Sequence, residues 1–258
     1  MLQVAVAGAS GRMGSAFMEY LENIEDVTAL AVSAHLVVAD DFVQLETALN
    51  GDGIDVIVDF SSPEASLKLA VWAAENSKSM VVGTTGFTAD QLDKLADALY
   101  PVAALLSPNM STMMNISWRM MSNAAKVLPH DTIDIEIVER HHRNKRNAPS
   151  STALQMAQIV AEKRGWSLSE SLRHNSRWGL LGERPRKEIV ISSIRGGTLN
   201  SEHTIIFAGS GESLEVTHRS QTLEPFSKGA LRAARWIVRQ PSGVYDLLDM
   251  LGLPEVLF

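Results

Sequence analysis

The sequence contains no cysteine, which excludes disulfide bonds, thiolate metal sites and cysteine nucleophiles. It is also short of positive charge, because 23 lysines and arginines stand against 30 aspartates and glutamates, a formal net charge of -7. Proteins whose main task is to bind nucleic acid usually carry a basic excess, so this balance argues against that class. The apolar run after Met1 breaks at Gly8 and has no basic leader, so it predicts neither a signal peptide nor a membrane span. We therefore expect a cytoplasmic protein with no nucleic-acid or membrane partner.

Short apolar runs alternate with helix-like stretches over about the first 110 residues. The run LQVAVA at 2–7 is followed by a glycine-rich turn and a helical pattern, the first step of a βαβ unit. Further apolar runs lie at 27–32, 55–60, 79–85 and 102–107. Buried parallel strands have such continuous apolar sequences. The pattern predicts an α/β fold with an amino-terminal Rossmann-type parallel sheet.

The sequence pattern changes in the middle of the chain. The stretch KEIVISSIRGGTLNSEHTIIFAGSGESLEVTHRS alternates apolar and polar residues between glycine turns. Such alternation predicts a mostly antiparallel or mixed open sheet with one covered face, within an α+β domain. A helical pattern returns near Thr222. We predict one domain from residues 1–111 and 222–258 and a central domain from residues 112–221.

The turn after the first predicted strand reads GASGRMG, a GxxGxxG pattern from Gly8 to Gly14. Glycines there permit a tight turn and close approach of a pyrophosphate, and the free amides of the following helix attract the anion. A turn with only a structural role is the alternative. In its strand, turn and helix context the pattern predicts a dinucleotide site.

The cofactor type depends on the end of the second predicted strand. An acidic residue that binds the adenosine ribose is expected there, and this chain has Ser33, followed by Ala34 and His35. Without a carboxylate to repel a 2′-phosphate, Arg12 or His35 can bind that group. We predict that Ser33 lies at the cofactor and that the cofactor is NADPH or NADH, with NADPH favoured.

Two more turns, GTTG at 83–86 and SPNM at 107–110, follow predicted parallel strands. Ligands of open parallel sheets bind at the carboxyl ends of the strands. Either motif alone can be an ordinary turn, but together with the glycine-rich turn they predict one crevice.

The stretch ERHHRNKRNAPSST at 139–152 concentrates cationic side chains in an acidic chain. A solvated surface loop is the usual meaning of such a run. Here hydroxyl residues at the start of a predicted helix follow it, and cations beside a free helix amino terminus form a site for a carboxylate or phosphate. A histidine in that place can supply a proton near neutral pH.

GASGRMG, GTTG and ERHHRNKRNAPSST together resemble the 4-hydroxy-tetrahydrodipicolinate reductase (dihydrodipicolinate reductase) family of lysine and diaminopimelate biosynthesis. The later segments RGG, EHTIIF and GALRAARW are similar to that family too, so the resemblance spans nearly the whole chain. It implies a dinucleotide-binding Rossmann domain, a central domain that binds a small dicarboxylate substrate, and a homotetramer formed through the central sheets.

The resemblance also implies roles for single residues. His141 would donate the proton, and Lys145 would pair with a substrate carboxylate and support protonation. The second carboxylate would be bound by His142, Ser151 and Thr152. The implied cofactor contacts are Gly8, Ala9, Ser10, Gly11, Arg12, Met13, Gly83, Thr84, Thr85, Ser107, Pro108, Asn109 and Met110. No metal is implied, and we interpret Glu202, His203, Glu215 and His218 as structural polar residues of the sheet.

Two departures from the family pattern leave alternatives open. Ser151 replaces a glycine of the carboxylate-binding turn, where its β-carbon narrows the anion site or requires an unfavourable φ. The segment NMSTMMN at 109–115 lacks an aromatic residue and a glycine of the family pattern. A reductase of another cyclic imino acid or carboxylate, or a catalytically silent dinucleotide sensor, are the alternative hypotheses.

Overall fold

The computed structural model describes residues 1–32, 53–173 and 179–253. The chain divides into two compact units, of which unit 1 is Met1–Thr112 with Leu223–Phe258 and unit 2 is Met113–Thr222. These divisions lie one residue from the predicted domain boundaries. No helix within the described ranges is long and apolar enough to cross a membrane.

The described helices and strands follow one another along both units. In chain order they are β1 (Leu2–Ala7), α1 (Arg12–Leu21), β2 (Val27–Val32), β3 (Val56–Asp59), α2 (Pro63–Glu75), β4 (Ser79–Val82), α3 (Ala89–Leu99), β5 (Ala103–Leu106), α4 (Thr112–Val127), β6 (Asp134–His141), α5 (Ser151–Arg164), α6 (Leu168–Ser171), β7 (Leu172–Arg173), β8 (Ile189–Arg195), β9 (Ser201–Ala208), β10 (Ser213–Ser220), α7 (Glu224–Ile237), β11 (Gly243–Tyr245) and α8 (Leu247–Leu251).

Unit 1 is built on a parallel sheet with the strand order β11-β5-β4-β3-β1-β2 across its described residues. Successive side chains of a strand point to opposite faces. Ala5 and Ala7 accordingly pack in a core with α2 and α3, whereas Val4 and Val6 pack in a core with α1 and α7. Both faces are covered, which confirms the predicted Rossmann-type sheet and explains its uniformly apolar strands.

The tail contributes a strand that the sequence did not predict. β11 pairs in parallel with β5, Gly243 opposite Ala103 and Tyr245 opposite Leu105. A three-residue strand is too short to show a period, so the tail was predicted as helix. The helical prediction is correct for α7, which packs on the unit 1 sheet through Ala230, Ala234 and Ile237.

Unit 2 contains the mixed sheet β10-β9-β6-β8-β7 in the described part of the chain. β6 runs parallel to β8 and antiparallel to β9, and β9 pairs antiparallel with β10. One face packs against α4 and α5 through a core that includes Trp118, Ile137, Val160 and Phe207. This arrangement confirms the predicted α+β domain with a mixed sheet.

Candidate active site

The predicted cofactor turns of unit 1 lie at one edge of its sheet. Gly8–Met13 follows β1, Gly83–Thr85 follows β4, and Ser107–Met110 follows β5. All of these strands are parallel, so their carboxyl ends lie at the same edge. The strand order reverses direction at β1, and such a switch point is where open α/β sheets bind ligands.

Three glycines of this edge, Gly8, Gly14 and Gly83, leave no room for a Cβ atom. Gly8 has a positive φ of 73°, and a Cβ built on it would lie 2.5 Å from the carbonyl oxygen of Phe60. A Cβ on Gly14 would lie 2.1 Å from the carbonyl oxygen of Gly8, and one on Gly83 would lie 2.4 Å from Cε1 of Phe60. Because these positions carry no side chain, backbone atoms line the carboxyl-end edge of the unit 1 sheet.

Helix α1 begins at this edge in a form suited to an anion. Its N-cap is Gly11, which has extended backbone and, within the described residues, no side-chain hydrogen bond to the first turn. The amides of the first turn and the positive end of the helix dipole are therefore available to a pyrophosphate. The turn fits the pyrophosphate of a dinucleotide.

The SPNM turn is held by its own side chains. The Ser107 hydroxyl donates to the carbonyl oxygen of Asn109 at 2.9 Å, and the Asn109 side-chain oxygen accepts from the Ser111 amide at 2.9 Å. Met110 is buried in the unit 1 core, whereas Pro108 is exposed. Ser33 and His35, the predicted contacts to the adenosine end of the cofactor, lie outside the described residues.

Beneath the GTTG turn lies a buried carboxyl group that was not predicted from the sequence. Asp59, the last residue of β3, is fully buried and accepts hydrogen bonds from the hydroxyls of Ser61, Ser66 and Thr84. The Thr84 hydroxyl in turn accepts from the Ser61 amide at 3.0 Å. Burial raises the pKa of Asp59, while the bonds from Ser61, Ser66 and Thr84 oppose that rise. This carboxyl group joins the turn after β3 to the turn after β4.

In unit 2 the alternation of β6 places its polar carboxyl end on the covered face. Positions 135, 137, 139 and 141 are all buried, so Glu139 and His141 point to the same side as the core isoleucines. Glu139 is 0% exposed and His141 is 7% exposed. The predicted proton donor therefore lies beside a buried carboxylate.

Glu139 is the centre of a hydrogen-bond network. Its Oε2 lies 2.6 Å from Nδ1 of His141 and accepts from Nη1 of Arg195 at 2.7 Å. Its Oε1 accepts from Nη2 of Arg195 at 2.7 Å and from the Ser150 amide at 3.1 Å. Arg195 also donates to the carbonyl oxygen of Asn147 at 2.7 Å, which ties the basic loop to β8.

The charge state of Glu139 follows from these partners. Burial alone would raise its pKa, but hydrogen bonds from His141, Arg195 and Ser193, together with the charge of Arg195, lower the pKa of Glu139 well below its ordinary value. The carboxylate is ionised at every pH at which the protein is expected to work.

His141 and the start of α5 share a second set of contacts. Nε2 of His141 lies 3.1 Å from the Ser201 hydroxyl. Its ring meets that of His203 edge to face, with centroids 5.1 Å apart, and Nε2 of His203 lies 2.8 Å from the Ser150 hydroxyl. Burial, and then repulsion from His141, lowers the pKa of His203 to about 3. His203 is therefore neutral near pH 7.

The predicted helix start is confirmed. Ser150 is the N-cap of α5, and its hydroxyl accepts from the Ala153 amide at 3.1 Å. Ser151 is the first helical residue and is exposed, and Thr152 follows it half-buried. Of the two alternatives for Ser151, the unfavourable φ is wrong, because Ser77 alone among the described non-glycine residues has a positive φ. A first-turn helical residue needs no left-handed backbone, so serine is accommodated.

The basic loop before α5 is held to the turn after β8. The Gly196 amide donates to the carbonyl oxygen of His141 at 3.2 Å, and the Arg143 amide donates to that of Gly197 at 3.1 Å. Within the loop the Lys145 amide donates to the carbonyl oxygen of His142 at 3.1 Å. His142 and Lys145 are both half-buried and lie between His141 and the start of α5 along the chain.

The structure thus brings His141, the loop residues and the start of α5 together. It also places beside them five residues that were not predicted as site residues. These are Glu139, Arg195, Ser150, Ser201 and His203. The period of two in β6 is the pattern that places Glu139 beside His141. Arg195 and His203 could be identified only from the strand register. On β8, Arg195 lies opposite His141, and on β9, His203 lies opposite Glu139.

Glu202 and His203, two polar residues of β9, have side-chain partners within unit 2. Glu202 pairs with Arg140 and Arg219 across the sheet, and His203 contacts Ser150. In the searched, described part of the chain no group of three or more His, Asp or Glu is arranged to hold a metal ion.

Comparison with known proteins gives matches over nearly the whole chain. Residues 2–110 match the family described as "Dihydrodipicolinate reductase, N-terminus", and residues 113–251 match "Dihydrodipicolinate reductase, C-terminus". The 4-hydroxy-tetrahydrodipicolinate reductase of Syntrophus aciditrophicus is 40% identical over 267 residues, which cover 98% of this chain and 99% of that protein. The reductase of the same name from Anaeromyxobacter dehalogenans is 41% identical over 273 residues, 98% of each chain.

Solved structures of a dihydrodipicolinate reductase and of a more distant dehydrogenase also match the chain. A dipicolinate-bound dihydrodipicolinate reductase from Paenisporosarcina sp. TG-14 matches with a TM-score of 0.75 and 26% identity, over 96% of this chain and 98% of that one. A myo-inositol dehydrogenase from Corynebacterium glutamicum matches with a TM-score of 0.56 and 13% identity, over 94% and 90% of the two chains, which is a likeness of fold alone.

Proposed function

The chain belongs to the dihydrodipicolinate reductase family, and from this premise we infer that it reduces 4-hydroxy-tetrahydrodipicolinate to tetrahydrodipicolinate in lysine and diaminopimelate biosynthesis. The observation that carries the inference is the match of both family halves to a chain whose basic loop and helix start are intact. This favours the family's own reaction over a reductase of another substrate and over a silent sensor.

The cofactor is a nicotinamide dinucleotide, which supplies a hydride to the substrate. Residues of unit 1 would hold it in two ways. The amino terminus of α1 would bind the pyrophosphate, and the turns after β4 and β5 would supply backbone and hydroxyl groups to the rest of the molecule. The close glycine contacts described above are the support for this placement.

The substrate is a small cyclic dicarboxylate, and unit 2 supplies complementary groups. His141 is the proton donor, and Lys145 binds one carboxylate and favours protonation next to it. The other carboxylate binds His142 with Ser151 and Thr152, where the first turn of α5 presents amides and hydroxyls. The neutral His203 adds no charge to this site.

The direct test is oxidation of the reduced dinucleotide by the purified protein with substrate freshly made by dihydrodipicolinate synthase. We expect loss of nicotinamide absorbance that depends on both protein and substrate. Absence of turnover at millimolar substrate contradicts the proposed reaction. Parallel assays with NADPH and NADH test the proposed preference for NADPH, and a larger kcat/KM with NADH contradicts that preference.

Two substitutions test the roles in unit 2. His141→Ala should lower kcat on the order of 100-fold, with little change of KM, because a positioned general acid contributes that much to the chemical step. Lys145→Ala should lower kcat and raise KM, because the ammonium group both binds a carboxylate and favours protonation. A His141→Ala protein with unchanged kcat removes that histidine from the acid role.

The same proposal includes a homotetramer formed through the unit 2 sheets and a cytoplasmic location. The mass in solution, measured by light scattering at micromolar protein, should be about four times that of the 28.1 kDa chain. A monomeric mass contradicts the tetramer and leaves the reaction untouched.

A further inference from the structure

We propose that Glu139 is a positioning residue that fixes the proton donor and the carboxylate-binding helix start with one side chain. Its Oε2 holds His141 so that Nε2 is the nitrogen that releases the proton, and its Oε1 holds the Ser150 amide at the start of α5. This inference rests on the proposed function, because it concerns how His141 acts as the acid of that reaction.

Both oxygens of the Glu139 carboxylate are hydrogen-bond acceptors. Each oxygen of Glu139 accepts from one nitrogen of Arg195, at 2.7 Å in both cases. Each oxygen also contacts one group of the proposed site, Nδ1 of His141 at 2.6 Å or the Ser150 amide at 3.1 Å. The guanidinium and the amide are donors in every state, so both oxygens must act as acceptors.

The contact with Glu139 determines which nitrogen of the His141 imidazole carries a hydrogen. An ionised carboxylate cannot donate, so the nitrogen that faces it, Nδ1, carries a hydrogen whether the ring is neutral or charged. A charged ring that releases a proton therefore releases it from Nε2 and remains as the neutral ring with hydrogen on Nδ1. The Ser201 hydroxyl beside Nε2 suits both states, because it can accept from the charged ring or donate to the neutral one.

Glu139 also holds the start of α5. The Ser150 side chain caps the helix by accepting from the Ala153 amide, and its own backbone amide donates to Glu139. The N-cap is therefore fixed from two sides, and the first turn that follows it, Ser151 and Thr152, is the proposed carboxylate site. One buried carboxylate thereby sets both the proton donor and the substrate anchor.

These contacts predict how an amide in place of the carboxylate would behave. Glutamine has one accepting oxygen and one donating nitrogen. The Ser150 amide can only donate, whereas His141 can change its tautomer, so the oxygen should turn to Ser150 and the nitrogen to His141. Nδ1 then accepts, Nε2 holds the hydrogen of the neutral ring, and releasing that hydrogen would leave an anionic imidazole. The acid function is lost, but the helix start is kept.

The test is steady-state kinetics of Glu139→Gln beside Glu136→Gln, with the same dinucleotide oxidation assay. Glu136 is a matched control because it lies on the same strand and pairs with another arginine, Arg184, at 2.9 Å. Glu139→Gln should lower kcat on the order of 100-fold with KM within about twofold of the wild type. Glu136→Gln should leave both constants within about twofold.

A second measurement does not require Glu139→Gln to fold. Nitrogen NMR of histidine-labelled wild-type protein, with His141 identified by its absence in His141→Asn, should show hydrogen on Nδ1 in the neutral ring. In Glu139→Gln, if folded by circular dichroism, the hydrogen should move to Nε2. Glu139→Ala should lower kcat and also raise KM about fivefold, since the Ser150 amide loses its hydrogen bond.

The outcomes separate the two proposals. A wild-type His141 with hydrogen on Nε2 overturns the positioning role whether or not the variant folds. A folded Glu139→Gln protein whose kcat lies within twofold of the wild type overturns it too. A wild-type protein that fails to oxidise the dinucleotide, with His141 nevertheless protonated on Nδ1, refutes the proposed reaction instead.

Discussion

Each unit buries one carboxyl group among the residues of its predicted site, and the pKa values of the two groups are shifted in opposite directions. Asp59 in unit 1 and Glu139 in unit 2 both have 0% exposure. Burial raises the pKa of Asp59 above its ordinary value, whereas the pKa of Glu139 lies well below its own because His141 and Arg195 outweigh burial. Burial by itself therefore does not determine the charge state of either group.

The difference lies in the chemistry of the partners. Asp59 is held by the hydroxyls of Ser61, Ser66 and Thr84 and by the Ser61 amide. A hydroxyl can donate or accept, so this cluster tolerates either protonation state of the carboxyl group. The partners of Glu139 include a guanidinium, which favours the charged form alone. The hydroxyl cluster of unit 1 therefore accommodates a charged or a neutral Asp59, whereas the network of unit 2 accommodates only a charged Glu139.

The largest expected effect comes from removing the cation of the network of unit 2. Arg195→Met leaves Glu139 buried without its guanidinium, so the free energy of unfolding should fall by roughly 3–5 kcal/mol. Urea unfolding near neutral pH measures the change. Arg235→Met is the control, because Arg235 pairs with Asp26 at the surface, where both side chains are substantially exposed. This substitution should lower the free energy of unfolding by less than about 1 kcal/mol. Equal losses in the two variants would contradict the comparison.

The next test replaces each carboxyl group by an amide of the same shape. Glu139→Gln should lower the free energy of unfolding by about 2 kcal/mol, because the new amide nitrogen faces a nitrogen of Arg195 with no acceptor between them. Asp59→Asn should lower the free energy of unfolding by less than about 1 kcal/mol. The Ser66 hydroxyl can then donate to the carbonyl oxygen of Ser62, 2.9 Å away, and accept from the new amide. A larger loss from Asp59→Asn than from Glu139→Gln would reverse the comparison.

The two clusters also differ in how far sequence could reveal them. The alternation of β6 puts Glu139 on the covered face with His141, so the pairing was readable from a period of two. Arg195 is 56 residues from Glu139, and only the parallel register of β6 and β8 brings them together. Asp59 ends an apolar strand, and its contact with Thr84 depends on β3 and β4 being neighbours.

The fold itself was more accessible than these contacts. The apolar runs predicted the parallel strands of unit 1, and the alternating stretch predicted the mixed sheet of unit 2, because period and burial are local properties of a chain. Strand order, register and the short β11 are not local, since they depend on which strands pair in three dimensions. The proposed roles of His141 and Lys145 came from the motif resemblance and stay predictions.

The opposite pKa directions predict opposite slopes of stability with pH. The lowered pKa of Glu139 means that between that value and its ordinary 4.5 the unfolded chain binds the extra proton, so its stabilisation is present at neutral pH and lost as pH falls. The raised pKa of Asp59 means that above its ordinary 3.8 the folded chain binds the extra proton, so stability falls as pH rises through that window.

Urea unfolding of the wild type, Glu139→Gln and Asp59→Asn between about pH 4 and pH 7 measures both slopes, each limited to about 1.4 kcal/mol per pH unit. The deficit of Glu139→Gln relative to the wild type should widen as pH rises from 4. Over the same range the free energy of unfolding of Asp59→Asn, relative to that of the wild type, should increase as pH rises. Slopes of the same sign for the two variants would contradict the assigned directions.

The smallest effect should come from a single hydroxyl of the hydroxyl cluster of unit 1. Thr84→Val keeps the shape of the side chain but removes the donor to Asp59 and the acceptor for the Ser61 amide, each at 3.0 Å. It should lower the free energy of unfolding by about 1 kcal/mol and raise the KM for the dinucleotide, because the turn after β4 loses its tie to β3. Thr84→Ser retains the hydroxyl and should restore both quantities. If Thr84→Ser is as damaging as Thr84→Val, packing of the Thr84 methyl group, and not its bond to Asp59, holds this turn.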